Sequence, residues 1–231
     1  METMSAQYKA KTNKTGSRID MKNPELPPRR VSSQAWHLLD MTKEETVRQI
    51  VLDTETTGLM VTQGHRIIEI GCVELVNGQP TGRTLQQYLD PERDIEPGAL
   101  AVHGITRDEL IGQPRFCDVA EQLLEFIRGA ELIIHNAEFD VEFLDAELAR
   151  LGPGWGPVSD YCTITCTREL AGKLVPGVRR SLNNLCDHFG IDRKHRTAHG
   201  ALLDAQLLAA VYAAMVGGSP DVMVAAAGGV R

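Results

Sequence analysis

The stretch RQIVLDTETTG, residues 48–58, constrains this chain more than any other. Ile50, Val51 and Leu52 form a short apolar run, the pattern of a buried strand. The run leads straight into Asp53, and Glu55 follows two residues later. Positions i and i+2 of a strand share a face, so two carboxylates stand side by side where the buried strand ends. Like charges that close raise each other's pKa unless something positive sits between them. A fold containing this strand must supply that counter-charge.

The pattern downstream of it is regular. In HRIIEIGCVELVNGQ, Ile68, Ile70 and Cys72 alternate with Glu69 and Gly71, and Asn77-Gly78 makes a hairpin turn. GRTLQQYLD supplies the returning strand, which predicts three consecutive antiparallel strands. Helices and short strands then mix. FCDVAEQLLEFIRG carries Val119, Leu123, Leu124 and Ile127 on one stripe and closes at Gly129. AELIIHN reads as a strand, EFDVEFLDAELARLG as a helix ended by Gly152, and YCTI as a last strand before CTRELAG. Two further helices follow, SLNNLCDHFG opened by Ser181, and HGALLDAQLLAAVYAAM. The expected class is α/β, a mixed five-stranded sheet flanked by helices.

Around this core, residues 1–46 read as a flexible extension, with NPELPPRR excluding regular structure and one or two helical turns conceivable near Trp36. Residues 219–231, rich in Gly and Ala, read as a flexible tail. No window approaches 18 consecutive apolar residues, and the N-terminus has no apolar signal core, so no membrane span or secretory signal is expected. Cys72, Cys117, Cys162, Cys166 and Cys186 make an odd count with no CxxC pair. That pattern favours free thiols over a zinc site and implies a reducing, cytoplasmic setting. Cys162 and Cys166 lie one turn apart if their segment is helical, as packing residues. The net charge of −7 argues against a surface that binds nucleic acid unaided, although bound metal ions can offset acidic residues.

Two other carboxylates sit among apolar neighbours. Asp140 lies near the start of a helix in IIHNAEFDVEFL, and Asp204 interrupts the apolar face of GALLDAQLLAA. Each has a plain reading taken alone: a helix N-terminus for Asp140, an arginine partner for Asp204, a solvated turn for Asp53 and Glu55. Taken together, four carboxylates carry about −4, and two divalent cations balance them. Mg²⁺ and Mn²⁺ prefer such oxygens, and a pair of them can hold a phosphodiester, activate water and stabilise the leaving oxygen. His199, five residues before Asp204, is rotated from it by about 140° on a continuous helix. It is therefore expected at the helix start or on the preceding loop, as a general base. His103 and His135 stand alone, and lone histidines are more often structural than catalytic.

IVLDTETTG, IIHNAEFDVEFL and HGALLDAQ, in that order and together with GHRIIEIGCVELVNG, resemble the motifs of the DEDDh family of 3′→5′ exonucleases. The resemblance spans about residues 48–218, which marks 47–218 as an exonuclease domain. It implies a ribonuclease-H-like fold and release of nucleoside 5′-monophosphates from a DNA 3′ end. By motif position, Asp53, Glu55, Asp140 and Asp204 match the ligands of two divalent cations, Mg²⁺ or Mn²⁺, and His199 the general base. Asp53, Thr54, Glu55, Asn136 and Asp204 would lie at the substrate, as would His103 in AVHGIT. The similarity is closest to members that proofread for DNA polymerase III, so the polymerase's catalytic subunit is the implied protein partner.

Two departures stand out. Gly98 in EPGALAVHG occupies a place where the family can carry a substrate-contacting Glu. From Gly218 on, GSPDVMVAAAGGVR offers neither the Gln nor the aromatic of a clamp-binding motif, which weakens the implication of stable tethering. An exoribonuclease or oligonucleotide hydrolase of the same fold, or a non-catalytic polymerase scaffold subunit, are the alternatives. The intact five-residue set counts against the scaffold.

Overall fold

The computed structural model describes residues 46–194, 196 and 198–217. Apart from Thr46, the extension expected over 1–46 lies outside the described residues, as does the tail expected over 219–231.

Five strands form one mixed sheet: β1 (Arg48–Thr56), β2 (Ile67–Val76), β3 (Gln79–Tyr88), β4 (Glu131–Ile134) and β5 (Thr163–Cys166), in the order β3-β2-β1-β4-β5. β1, β2 and β3 are antiparallel neighbours, as the two short connections require. Asn77 and Gly78 both have positive φ, 51° and 72°, the left-handed pair that turns a tight hairpin. β4 runs parallel to β1, and β5 parallel to β4.

Six helices are described: α1 (Pro97–His103), α2 (Phe116–Ile127), α3 (Ala137–Leu151), α4 (Thr167–Leu174), α5 (Leu182–Phe189) and α6 (Ala201–Met215). Period-2 alternation along β1 sorts its side chains between two cores. Ile50 and Leu52 join Val119, Leu123, Phe143 and Leu144, the side of α2 and α3. Val51 joins Leu185, Ala205, Leu208 and Val211, the side of α5 and α6.

The structure amends the sequence pattern at two places. The segment 97–103, to which that pattern gave no element, is a seven-residue helix with Pro97 in its first turn and Gly104 in the left-handed conformation after it. Those are ordinary start and stop signals, overlooked because the helix is short and leaves Leu100 and Val102 exposed. Cys162 and Cys166 are not a helical pair, since residues 163–166 form β5. All five cysteines are free thiols, and no described helix is long and apolar enough to cross a bilayer.

Candidate active site

Asp53 lies one residue beyond the last parallel pair, Leu52 with Ile134, where β4 stops and β1 continues. By the same alternation Asp53 and Glu55 follow Val51 toward α6, while Thr54 follows Leu52 toward α3. The chain leaves β4 through His135 and Asn136, and Asn136 takes a left-handed φ of 65° before α3 begins. That turn brings Asp140, in the first turn of α3, back over β1. Its Oδ1 accepts from the Thr54 backbone N–H at 3.1 Å and from the Thr54 hydroxyl at 2.7 Å.

Asp204 arrives from the other face, and one glycine makes this possible. Gly71 is the cross-strand partner of Asp53, and the start of α6 rests directly on it. A Cβ at Gly71 would lie 2.2 Å from the Ala201 carbonyl carbon and the Leu202 nitrogen. Beside it, the Glu69 carboxylate accepts from the Ala201 backbone N–H at 3.0 Å and from Gln86 Nε2 at 2.8 Å. An acceptor from the sheet thus meets a free N–H at the helix N-terminus. Glu69 is buried, so the alternation that seems to place it on a polar face of β2 misses its role as an anchor. Both faces of β2 are in fact covered.

His199 sits just before α6, whose N-cap is Gly200, as the rotation argument requires. Its backbone N–H donates to the Val102 carbonyl at 3.2 Å, which ties this loop to α1. Its ring Nδ1 is 3.2 Å from Asp204 Oδ2, and its side chain is 43% exposed. One ligand atom from each of Glu55, His199 and Asp204 falls within 4.8 Å of the others.

Asp53, Glu55, Asp140, Asp204, His199, His103, Asn136 and Thr54 all line one cleft of about 710 Å³. His103 accepts the Ile105 backbone N–H on Nδ1 at 3.0 Å, so its neutral ring carries hydrogen on Nε2. That buried Nε2 makes no well-formed hydrogen bond. Burial holds the His103 ring below the ordinary histidine range, against the pull of the Thr56 carbonyl. At the Gly98 position, an added Cβ meets nothing within 4 Å, so the cleft is open there.

The electrostatics divide the carboxylates. Burial, then Asp140, Asp204 and Glu55, hold Asp53 well above the usual carboxylate range. Glu55 is pushed up to about 8 by burial, Asp204 and Glu69. Asp140 rises to about 7 through burial, despite its bonds from Thr54. Asp204 goes the other way: burial opposes its charge, but hydrogen bonds from His199 and Arg196 hold it below the usual range.

Arg196 is the residue that sequence reasoning did not place. Its Nε contacts Asp204 Oδ1, its Nη2 lies 2.6 Å from Asp204 Oδ2 and 2.8 Å from His199 Nδ1, and its Nη1 donates to Asn183 Oδ1 at 2.7 Å. The plain reading of Asp204, an arginine partner, therefore holds alongside the cluster reading. Arg196 stands three residues before His199, yet a separation of eight from Asp204 gives no signal in a sequence.

The family model described as exonuclease (RNase_T) matches residues 50–212. Proteins named DNA polymerase III subunit epsilon are similar in sequence. That of Salmonella typhimurium is 48% identical over 185 residues, covering 78% of this chain and 76% of the relative. That of Escherichia coli shows the same identity and coverage. That of Haemophilus influenzae is 49% identical over 178 residues, 75% of this chain and 69% of the relative. Among solved structures, exonuclease X in complex with 5′-overhanging duplex DNA is 26% identical with a TM-score of 0.54, covering 78% of this chain and 98% of that one. A 3′-exonuclease bound to a histone mRNA stem-loop is alike in fold, with a TM-score of 0.64 at 19% identity, over 79% of this chain and 69% of that one.

Proposed function

The chain belongs to the exonuclease family and is a 3′→5′ exonuclease; from that premise we propose that it edits DNA 3′ ends as the proofreading subunit of a DNA polymerase III. The observation that carries this reading is the convergence of Asp53, Glu55, Asp140, Asp204 and His199, from three distant segments, on one cleft.

Divalent metal ions serve this family generally, and the residues here fit them. Burial holds Asp53, Glu55 and Asp140 above their ordinary pKa, with neighbouring carboxylates adding to it at Asp53 and Glu55, and a cation between them would favour their charged forms. Asp53, Glu55, Asp140 and Asp204 would hold two ions, and their oxygen-only donor set favours Mg²⁺ or Mn²⁺. Such ions supply Lewis acidity to the phosphodiester and lower the pKa of the attacking water.

The chain's own groups do the rest. His199, half-exposed at the cleft and turned by Asp204, accepts the proton of the attacking water. The Thr54 hydroxyl and backbone fix the Asp140 carboxylate. His103 offers its Nε2–H to the terminal nucleotide, and Asn136 and the backbone at Thr54 lie beside it. The product is a nucleoside 5′-monophosphate, and the shortened strand keeps a 3′-hydroxyl.

The decisive experiment compares Mg²⁺-dependent shortening of a 3′-mismatched primer, a paired primer and a matched RNA strand. Editing predicts faster removal from the mismatched DNA end, because unpairing has already been supplied there. Equal rates on the two primers would sink editing, and faster cutting of the RNA strand would move the substrate to RNA. Association with the polymerase's catalytic subunit follows the names of the relatives and is tested by co-elution of the two purified chains.

A further inference from the structure

We propose that Arg168 and Arg180 form a second binding site in the cleft, for backbone phosphates of the nucleotides on the 5′ side of the bond that is cut. This rests on the exonuclease reading and extends it from the reacting end of the strand to the part that follows.

Both arginines are exposed and line the same cleft as the four carboxylates, yet they come from elements that contribute nothing to the acidic cluster. Arg168 stands in the first turn of α4, just past β5, and Arg180 directly before the Ser181 cap of α5. A single half-buried ring joins these two places. His135, where the chain leaves β4, has Nδ1 at 2.9 Å from the Thr167 hydroxyl, and it also bonds to the Arg180 backbone. Burial holds that ring below the ordinary histidine range. The Thr167 hydroxyl is in turn 3.2 Å from the Ile134 carbonyl.

The heads of the two arginines are aimed as well as anchored. Arg168 Nη1 donates to Asn136 Oδ1 at 2.8 Å, beside the left-handed turn that leads to Asp140. The Arg180 guanidinium lies against Gly172, where an added Cβ would be 2.8 Å from Cζ. Arg196, the other arginine of the cleft, is spent on Asp204, His199 and Asn183. Leu59, Ala99 and Val102, from the loop after β1 and from α1, are apolar, as are Phe139 and Leu182, while the two other arginines both stand at α4 and the start of α5. A strand leaving the carboxylates thus meets apolar surface for its bases and, at α4 and α5, cations for its phosphates.

Charge makes such cations necessary. The chain carries −7, and the cleft itself holds Asp53, Glu55, Glu96, Asp140 and Asp204. Metal ions offset that charge only at the reacting phosphate, and a polyanion still has to approach. A guanidinium fork matches two phosphate oxygens and keeps its charge at any working pH.

The test uses the purified full chain and two substrates. One is a single-stranded DNA oligonucleotide labelled at its 5′ end. The other is the p-nitrophenyl ester of thymidine 5′-monophosphate, which has a phosphodiester but no upstream nucleotide. The Arg168→Gln/Arg180→Gln double variant should lose about tenfold more in kcat/KM on the oligonucleotide than on the ester at low salt. In oligonucleotide binding, followed by anisotropy in EDTA, the slope of log affinity against log salt should flatten by about 0.7 per arginine lost. Arg168→Lys/Arg180→Lys should keep most of the slope, because it keeps the charge. A wild-type slope in the Gln variant, equal losses on the two substrates, or a Lys variant no better than Gln overturns the proposal. Wild-type protein that hydrolyses neither substrate in Mg²⁺ overturns the exonuclease reading instead, and the binding slope still judges the arginines.

Discussion

The two halves of the acidic cluster are built differently. Asp53 and Glu55 extend a buried strand, and Asp140 is pinned over them by Thr54, so these oxygens are held by a rigid sheet and helix. Asp204, in the first turn of α6, shares its site with Arg196 and His199 from the loop before it. The first group is uncompensated and its carboxyls are held above their ordinary range; the second is compensated and Asp204 is held below it. Identical chemistry in one cleft thus meets opposite electrostatics, because a guanidinium reaches one carboxylate with both forks and the others only at a distance. Burial first, and repulsion second, raise the carboxyls of the strand side, which a bound cation would relieve. The paired side keeps the helix start seated.

The contrast can be broken most severely through catalysis. Asp53→Asn and Asp204→Asn should each remove essentially all hydrolysis of a DNA 3′ end, measured by gel, if each takes away an oxygen that holds a metal ion as proposed. His199→Ala should be milder, a loss of about 10²–10⁴ in rate with metal binding by calorimetry retained, the usual share of a general base. Metal affinity lost along with activity would assign His199 to holding the ion.

Stability should separate the same two aspartates. Without metal, Asp204→Asn leaves Arg196, only 7% exposed in its side chain, without its charge partner. That variant should lose about 3–5 kcal/mol in urea unfolding, the cost of breaking a buried pair from one side. Asp53→Asn relieves repulsion and should unfold at a higher temperature than wild type under the same conditions. Equal shifts in the two variants would erase the distinction between the halves.

A gentler probe is pH. Glu55 and Asp140 bind protons more tightly folded than unfolded, with values near 8 and near 7 against 4.5 and 3.8. Their contribution is fully present below about 4 and is lost as pH rises through 7 to 8. In EDTA the melting temperature should therefore fall between pH 5.5 and 8.5, and added Mg²⁺ should restore more of it at the alkaline end. A flat profile would mean that these carboxyls ionise freely. Smallest is Gly71→Ala, whose methyl would press on the start of α6. It should cost about 1–3 kcal/mol, with a partial fall in rate as Asp204 shifts.

Much of this architecture is legible in residue order. The strand at RQIVLD, the Asn77-Gly78 hairpin and the helices closing at Gly129 and Gly152 follow from periodicity and turn chemistry, while the continuation of that strand to Thr56 does not. The carboxylates are conspicuous because each interrupts an apolar pattern. Arg196 and Glu69 are not conspicuous at all. A charged residue in a polar turn, or on the alternate face of a strand, looks solvated until something from far along the chain covers it. The helix at 97–103 was hidden for a related reason: it turns no apolar stripe to the core, so its signals were only Pro97 and Gly104.

By itself, then, the sequence determined the elements and the chemistry, since alternation, caps and the oxygen donors are properties of neighbours in the chain. Only the tertiary structure decided how the charges are shared. Whether a carboxylate is ionised depends on what lies within a few ångströms in space, and Arg196, Gly71 and Glu69 come to the cleft through packing that no local pattern encodes.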